Sequence, residues 1–226
     1  MRRQDKLKIM LCSAFVGLFV SCVVVKNDEK DSRLTADEEK VFGFSAKDMV
    51  IDAKEYVDNV WEPVIVPRIE SMSVDFKELL AGLRADEEGT SRKYGFRLLE
   101  EGNHYNFAVK GTVKFLAVDT SSMNGNVSLD FAPFDGQVDC LMSIGPVFRG
   151  STIRDIQNTI SINDFGNQVD FARLARELNN KVKDLVLGDV DFSQHIGDEA
   201  ELVGAFAYNG LGSVIEIMPV QLSIKK

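Results

Sequence analysis

Alternation of apolar and polar residues begins near Phe107 and restricts the fold more than any other feature of this sequence. Three alternating strands, one amphipathic helix and two more strands are predicted at residues 107–117, 127–131, 138–144, 168–187, 201–208 and 213–224. This order is that of an OB-fold barrel, in which a helix lies between strands 3 and 4. A half-open α+β sheet would give the same order.

We therefore expect an α+β fold in which residues 93–226 form an OB-like five-stranded β-barrel with a helix between strands 3 and 4. The helix has an apolar stripe that includes Leu185, and Gly188 is placed to end it. In the last strand the apolar phase changes at Met218 and Pro219. Because proline cannot donate a ladder hydrogen bond, this change predicts a bulge or a sheet edge.

Residues 45–92 predict a helical segment that precedes the barrel. A first helix begins at Ser45, and its pattern is broken by Pro63 and Pro67. A second helix is predicted over residues 74–83. The charged stretch 85–92 contains a glycine, which predicts a loop and a boundary between the two segments.

Residues 1–21 have the layout of a secretory signal peptide. Four basic groups and one acid precede an uncharged run of 17 residues. Ser21 before Cys22 predicts cleavage there and attachment of lipid, including palmitate, to Cys22. Residues 22–44 then read as a flexible tether because a dense run of charge cannot bury enough apolar surface to order itself. An uncleaved signal anchor is the alternative, since 17 residues approach the shortest span of a bilayer.

Charge and cysteine content limit the partners of the exported part. The chain carries −9, of which +3 lies in residues 1–21, so about −12 remains after cleavage. Such an acidic surface repels phosphate backbones, and we expect no nucleic-acid partner. Cys140 would be the one cysteine left besides the lipidated Cys22, which excludes an internal disulfide bond.

The sequence predicts no catalytic residues, no metal site and no cofactor. Cys140 lies on the apolar side of its strand, which is typical of a buried, inert thiol. His104 and His195 have no serine or cysteine partner in a recognisable motif and are expected to be exposed. With so few histidines and cysteines, a zinc site lacks ligands.

The connection after the third strand is the candidate functional segment because long loops in compact domains are commonly functional. Its polar candidates for a ligand site or a structural network are Arg149, Arg154, Asp155, Asp164, Asn167 and Gln168. Arg149 and Arg154 could bind a carboxylate of a ligand or pair with Asp155 and Asp164, and the internal network is favoured. Asn167 is placed to cap the helix that begins at Gln168.

Several motifs in the exported part resemble an uncharacterised bacterial family of predicted periplasmic lipoproteins. They are GPVFRGSTIRD at residues 145–155, NDFGNQ at 163–168, VGAF at 203–206, IEIMPV at 215–220, and the shorter VDT at 118–120, KYG at 93–95 and LN at 178–179. The resemblance covers nearly all of the exported chain. It implies a lipid-anchored extracytoplasmic protein, often encoded near sugar-importing ABC transporters, and it implies no known activity or catalytic residue.

Three functions are compatible with these features. The favoured one is a lipid-anchored extracytoplasmic binding or accessory protein without catalytic activity, whose partners are the membrane and an envelope or ABC-transporter protein. The second is a hydrolase of envelope glycans or peptides, which needs a pair of carboxylates at set spacing. The third, oligonucleotide binding, rests on the OB-like order alone. Val23 is not acidic, which favours the outer membrane.

Overall fold

The computed structural model describes residues 52–97, 104–157, 160, 165 and 167–225. The predicted signal peptide, Cys22, the predicted tether and the predicted helix start at Ser45 lie outside these residues. Within the described ranges, no helix is both long enough and apolar enough to cross a membrane. The predicted boundary between residues 92 and 93 remains a prediction.

The first helix runs through both prolines, so the predicted break at Pro63 and Pro67 is wrong. Helix α1, Ala53–Val60, continues through a π-helical turn, Trp61–Ile65, into α2, Val66–Met72. In the π turn the Val66 N–H bonds the oxygen of Trp61, five residues back, and this wider turn accommodates the ring of Pro63. Pro67 is the second residue of α2 and follows directly on the π-helical turn.

The predicted second helix is found, preceded by a two-residue strand, β1 (Val74–Asp75). Helix α3, Phe76–Ala85, begins where the Asp75 carboxylate accepts a hydrogen bond of 2.9 Å from the Glu78 N–H. Its predicted apolar residues Phe76, Leu79 and Leu83 are buried.

The predicted loop at 85–92 is wrong, because helix α4 occupies Glu87–Tyr94. Asp86 ends α3 and caps α4 by accepting a hydrogen bond from the Gly89 N–H. Acids stand in the first turn of α4 and bases in its last turn, an order that favours a helix through its dipole. This helix has little apolar surface, so apolar spacing could not detect it.

The predicted order of strands and helix is confirmed after residue 104. The remaining elements are β2 Tyr105–Asp119, β3 Asn126–Phe131, β4 Cys140–Ser143, α5 Thr152–Asp155, α6 Gln168–Lys181, a π-helical turn Val182–Leu187, a 3-10 turn Phe192–His195, β5 Glu199–Tyr208 and β6 Glu216–Ile224. Strand pairs β2–β3, β3–β4, β5–β6 and β2–β5 are antiparallel, and β4–β6 is parallel. These pairings form a closed cycle of five strands. Strand β1 adds a sixth, parallel to β2.

The π-helical turn corrects one residue of the predicted helix. Leu185, expected on the apolar stripe, is 55 % exposed. The i→i+5 turn holds more residues than an α-helical turn, so it rotates Leu185 away from the buried face, while Leu187 is buried. Gly188 ends the helix with φ of +51°, as predicted.

Strand β6 contains the bulge that Pro219 predicts. Val203 pairs with Gln221 and Gly204 with Pro219, so one residue of β6 is unpaired between them. A Cβ atom on Gly204 would lie 2.5 Å from Ile217 Cγ2 and 2.7 Å from the Met218 oxygen. Glycine is therefore the residue that fits opposite the bulge.

The core contains apolar residues from the helical segment and from the strands in one cluster. The ring of Phe76 in α3 stacks on Phe131 in β3 with centroids 4.1 Å apart. Gly111 in β2 leaves room for this pair, because a Cβ atom there would lie 2.8 Å from Phe131 Cδ1. The helices thus cover the strands near the end of β3.

Candidate functional site

The segment after β4 is held by a network centred on Asp155. Ser151 Oγ donates to Asp155 Oδ2 at 2.5 Å, and Arg154 Nε donates to Oδ1 at 2.8 Å. A second guanidinium nitrogen of Arg154 lies 2.7 Å from Oδ1. Gly150, with φ of +84°, begins this turn.

Arg154 also attaches the loop to helix α6. Its Nη1 donates to the Phe171 oxygen at 3.0 Å, and its guanidinium carbon lies 3.9 Å above the centre of the Phe171 ring. The side chain is 12 % exposed. The Arg154–Asp155 pair thus joins the loop to helix α6, while Asp164, the other predicted partner, lies outside the described residues.

Arg149 is not part of that network. Its side chain is exposed and makes no hydrogen bond or ion pair in the portion of the chain that the structure describes. The two arginines singled out in the sequence thus differ in environment. The structure does not bring them together as one ligand site.

Helix α6 supplies two more structural contacts to this region. Asn167 caps it, since its side-chain oxygen accepts hydrogen bonds from the N–H groups of Val169 and Asp170, as predicted. Gln168, the first helical residue, is exposed. Asn179, which sequence reasoning did not single out as a site residue, donates to the Gly150 oxygen at 3.1 Å. The one sequence feature that could have indicated this contact is the position of Asn179 next to the apolar stripe of the helix.

Cys140, His104 and His195, for which the sequence predicts no catalytic role, lie in different environments. Cys140 is buried in β4, and burial raises the pKa of its thiol above the ordinary value. His104 is exposed, and His195 Nδ1 lies 2.9 Å from Asp198 Oδ2. Among the described residues, no group of three or more histidine, cysteine or acidic side chains could hold a metal ion.

A cleft of about 680 Å³, which the sequence did not predict, lies on the outer face of the strands. Its floor consists of outward-facing residues of β2, β5 and β6: Lys110, Thr112, Glu201, Val203, Gln221 and Ser223. Its walls include Glu70 of α2, Asp75 of β1, and Phe131 and Ala132 at the end of β3. The cleft is formed by pairing between strands that are far apart in the sequence. Only the alternating polar residues of β2 could have indicated it from local sequence.

Glu201 is fixed within the floor of the cleft. Its Oε1 lies 2.7 Å from Lys225 Nζ and accepts a hydrogen bond of 2.9 Å from Thr112 Oγ1. Hydrogen bonds from Lys225 and Thr112 hold the pKa of this carboxyl below its ordinary value. Glu201 is therefore ionised, which does not suit it to donate a proton as a general acid.

Several other polar side chains of the cleft have no partner among the described residues. Lys110 and the side chains of Glu70, Gln221 and Ser223 make no hydrogen bond or ion pair with any residue that the structure describes. Asp75 uses Oδ1 to cap α3. The cleft thus offers a free ammonium group, a free carboxylate, and neutral donors and acceptors to a bound molecule.

Comparison with known proteins identifies the family and the fold. The crystal structure of an OB-fold protein from Thermotoga maritima aligns with a TM-score of 0.64 at 19 % identity, covering 77 % of this chain and 99 % of that one. No curated protein matches the sequence. A family model described as "Predicted periplasmic lipoprotein (DUF2291)" matches residues 12–223. The chain therefore belongs to this family of predicted periplasmic lipoproteins, as its motifs indicated.

Proposed function

We propose that this protein is a non-catalytic binding protein, held at the cell envelope by lipid on Cys22, whose ligand site is the cleft on the outer face of β2, β5 and β6. The observation that carries the proposal is the cleft itself, which has a volume typical of small-molecule sites and keeps several polar side chains unpaired. A binding site needs such groups because a ligand replaces the water that they bind in the free protein.

The alternative function, hydrolysis, would need a suitable pair among the three carboxylates of the cleft, Glu70, Asp75 and Glu201. Acid–base hydrolysis needs one carboxyl that carries a proton and one that does not. Glu201 is held ionised by Lys225 and Thr112, and Asp75 caps a helix. Glu70 is exposed, and no hydrogen bond joins it to a second carboxyl among the described residues.

We assign the strand cycle to an OB-like five-stranded barrel with the helices of residues 152–187 between its third and fourth strands. The closed pairings and the Thermotoga maritima structure support this assignment. Oligonucleotide binding is disfavoured, because the basic strand residue Lys114 lies 3.9 Å from Glu199 and Thr112 bonds Glu201. This face therefore presents acids beside its bases.

The placement of the protein in the envelope follows from its first residues. We propose cleavage before Cys22, acylation of that cysteine including palmitate, and, because Val23 is not acidic, retention at the outer membrane. The tether would let the domain reach a membrane protein such as a transporter component. Family membership as a predicted periplasmic lipoprotein supports this arrangement.

The anchor is tested by replacing its cysteine. Cys22→Ser should move the protein from the membrane fraction to the soluble envelope fraction, because without acylation no lipid holds it. The measurement is fractionation followed by immunoblotting, with Cys140→Ser as the control that stays with membranes. Equal membrane retention of Cys22→Ser would favour the uncleaved signal anchor instead.

The cleft is tested by filling it. Val203→Trp places an indole on the floor of the cleft and should abolish retention of small molecules from an envelope extract, measured by native mass spectrometry of the full chain. Val214→Trp is the matched control, since Val214 is 71 % exposed and does not line the cleft. Equal retention by both variants, or by neither variant nor the parent protein, would contradict the proposal.

A further inference from the structure

An asparagine or aspartate directly precedes a glycine at three places in the described chain: Asn124–Gly125, Asp135–Gly136 and Asn209–Gly210. Such pairs can react with themselves, because glycine has no side chain to shield its backbone nitrogen from the side-chain carbonyl carbon of the preceding residue. Attack by that nitrogen closes a five-membered succinimide ring. A hydrogen bond donated by the glycine N–H opposes the reaction, since the bond must be lost before the nitrogen can attack.

Two of the three glycine nitrogens are held by hydrogen bonds. Gly125 is buried, and its N–H donates to the Ser122 oxygen at 3.2 Å. The N–H of Gly136 donates to Oδ2 of the buried Asp130 at 2.7 Å. The folded structure therefore opposes ring closure at both of these places, although the sequence alone would permit it.

The third glycine nitrogen, that of Gly210, is not held. Its N–H makes no hydrogen bond with any residue that the structure describes, and neither does the exposed side chain of Asn209. The bonds of this turn go instead to the Gly210 oxygen, which accepts from the N–H of Ser213 at 3.3 Å and from its hydroxyl at 2.5 Å. The turn is thus fixed through a carbonyl group, and the nitrogen beside Asn209 stays unbonded.

We propose that Asn209 is a site of spontaneous deamidation in the folded protein. The nitrogen of Gly210 attacks Cγ of Asn209 and loses its proton, and the side-chain nitrogen leaves as ammonia. Water then opens the succinimide at either of its two carbonyl groups, which gives aspartate or isoaspartate. The net reaction consumes one water molecule, exchanges a neutral amide for a carboxylate, and releases ammonium.

The product changes the place where the end of β5 contacts helix α4. Tyr208, the residue before Asn209, donates from its hydroxyl to Glu87 Oε1 at 2.9 Å. A Cβ atom on Gly210 would lie 4.0 Å from the same oxygen. Deamidation therefore adds a negative charge next to a residue pair that already contains a carboxylate, and isoaspartate also lengthens the backbone there. None of these residues lines the cleft, so the site is separate from the proposed ligand site.

Peptide mapping by mass spectrometry tests the site after incubation of the full chain in detergent at mildly alkaline pH. Asn124 is the internal control, because a glycine follows it as well and only the hydrogen bond and burial of that glycine differ. We expect Asn209 to convert at least about fivefold faster than Asn124, the factor that corresponds to one neutral hydrogen bond. Labelling by an isoaspartate-specific methyltransferase should mark the peptide that contains residue 209.

A second incubation in urea and one variant separate the effect of the fold from that of the sequence. Urea removes the hydrogen bond of Gly125, so Asn124 and Asn209 should then convert at similar rates. Asn209→Gln should abolish conversion at residue 209, because glutamine closes a larger ring much more slowly, and should leave Asn124 unchanged. The inference is overturned by equal rates at the two sites in the folded protein, by no conversion of Asn209 there, or by a difference of the same size in urea.

Discussion

Gly204→Ala is expected to destabilise the domain by about 3 kcal/mol, at the upper end of the cost of overpacking a core. The new Cβ atom would lie 2.5 Å from Ile217 Cγ2 and 2.7 Å from the backbone oxygen of Met218. Neither neighbour can rotate away, because Ile217 is buried and the backbone is held by the pairing of Gly204 with Pro219. In a domain of this size the Tm should fall by about 8 °C.

The matched control separates overpacking from the conformational preference of glycine. Gly212 has φ of +85° and no atom within 4 Å of an added Cβ atom. Gly212→Ala should therefore cost about 1 kcal/mol through backbone strain alone. Both values come from thermal unfolding followed by circular dichroism. An equal loss of stability in the two variants would show that the contacts opposite the bulge yield at little cost.

Local pattern predicted β2 well because one of its faces is largely buried over residues 107–115, while Lys110, Thr112 and Lys114 on the other face are at least partly exposed. Along β2, alternate residues from Phe107 to Phe115 are buried apart from Gly111, which is half-buried. The phase change at Met218 and Pro219 predicted a bulge or a sheet edge, and a bulge is found there. These features depend on neighbours in sequence, so the sequence carries them directly.

The elements that were predicted wrongly depend on hydrogen bonds or on charge, and the spacing of apolar residues gives no information about either. The turn around Pro63 is stabilised by an i→i+5 bond, and Leu185 is displaced by a second turn of the same kind. Helix α4 forms through Asp86 and an ordered distribution of charge. Apolar spacing alone therefore predicts a helix break at Pro63, a buried Leu185 and a loop where α4 lies.

The cleft was beyond local prediction because its lining residues are far apart in the sequence. Glu70, Lys110 and Gln221 meet only after β1, β2, β5 and β6 have paired. The loop after β4 was the better local candidate, with two arginines and two aspartates in one segment. The structure shows that Arg154 and Asp155 hold this segment on α6, so the motif that indicated the family is largely architectural there.

Arg154→Met should destabilise the protein by about 3 kcal/mol, because it leaves Asp155, whose side chain is 19 % exposed, without its cationic partner. The change also removes the hydrogen bond to the Phe171 oxygen and the stacking on that ring. Arg154→Lys should recover only part of the loss, since an ammonium group cannot contact Asp155 and the Phe171 oxygen in the same planar arrangement. Thermal unfolding of the full chain measures the effect.

The comparison with Arg149 decides between structure and ligand binding for the two arginines. Arg149→Met makes the same chemical change on an exposed side chain, so its effect on unfolding should stay within about 0.5 kcal/mol. If Arg154 served to bind a ligand instead, Arg154→Met should lose as little stability as Arg149→Met. Equal stability of the two variants would contradict the architectural assignment. A large loss confined to Arg154→Met would establish that its guanidinium holds the loop on helix α6.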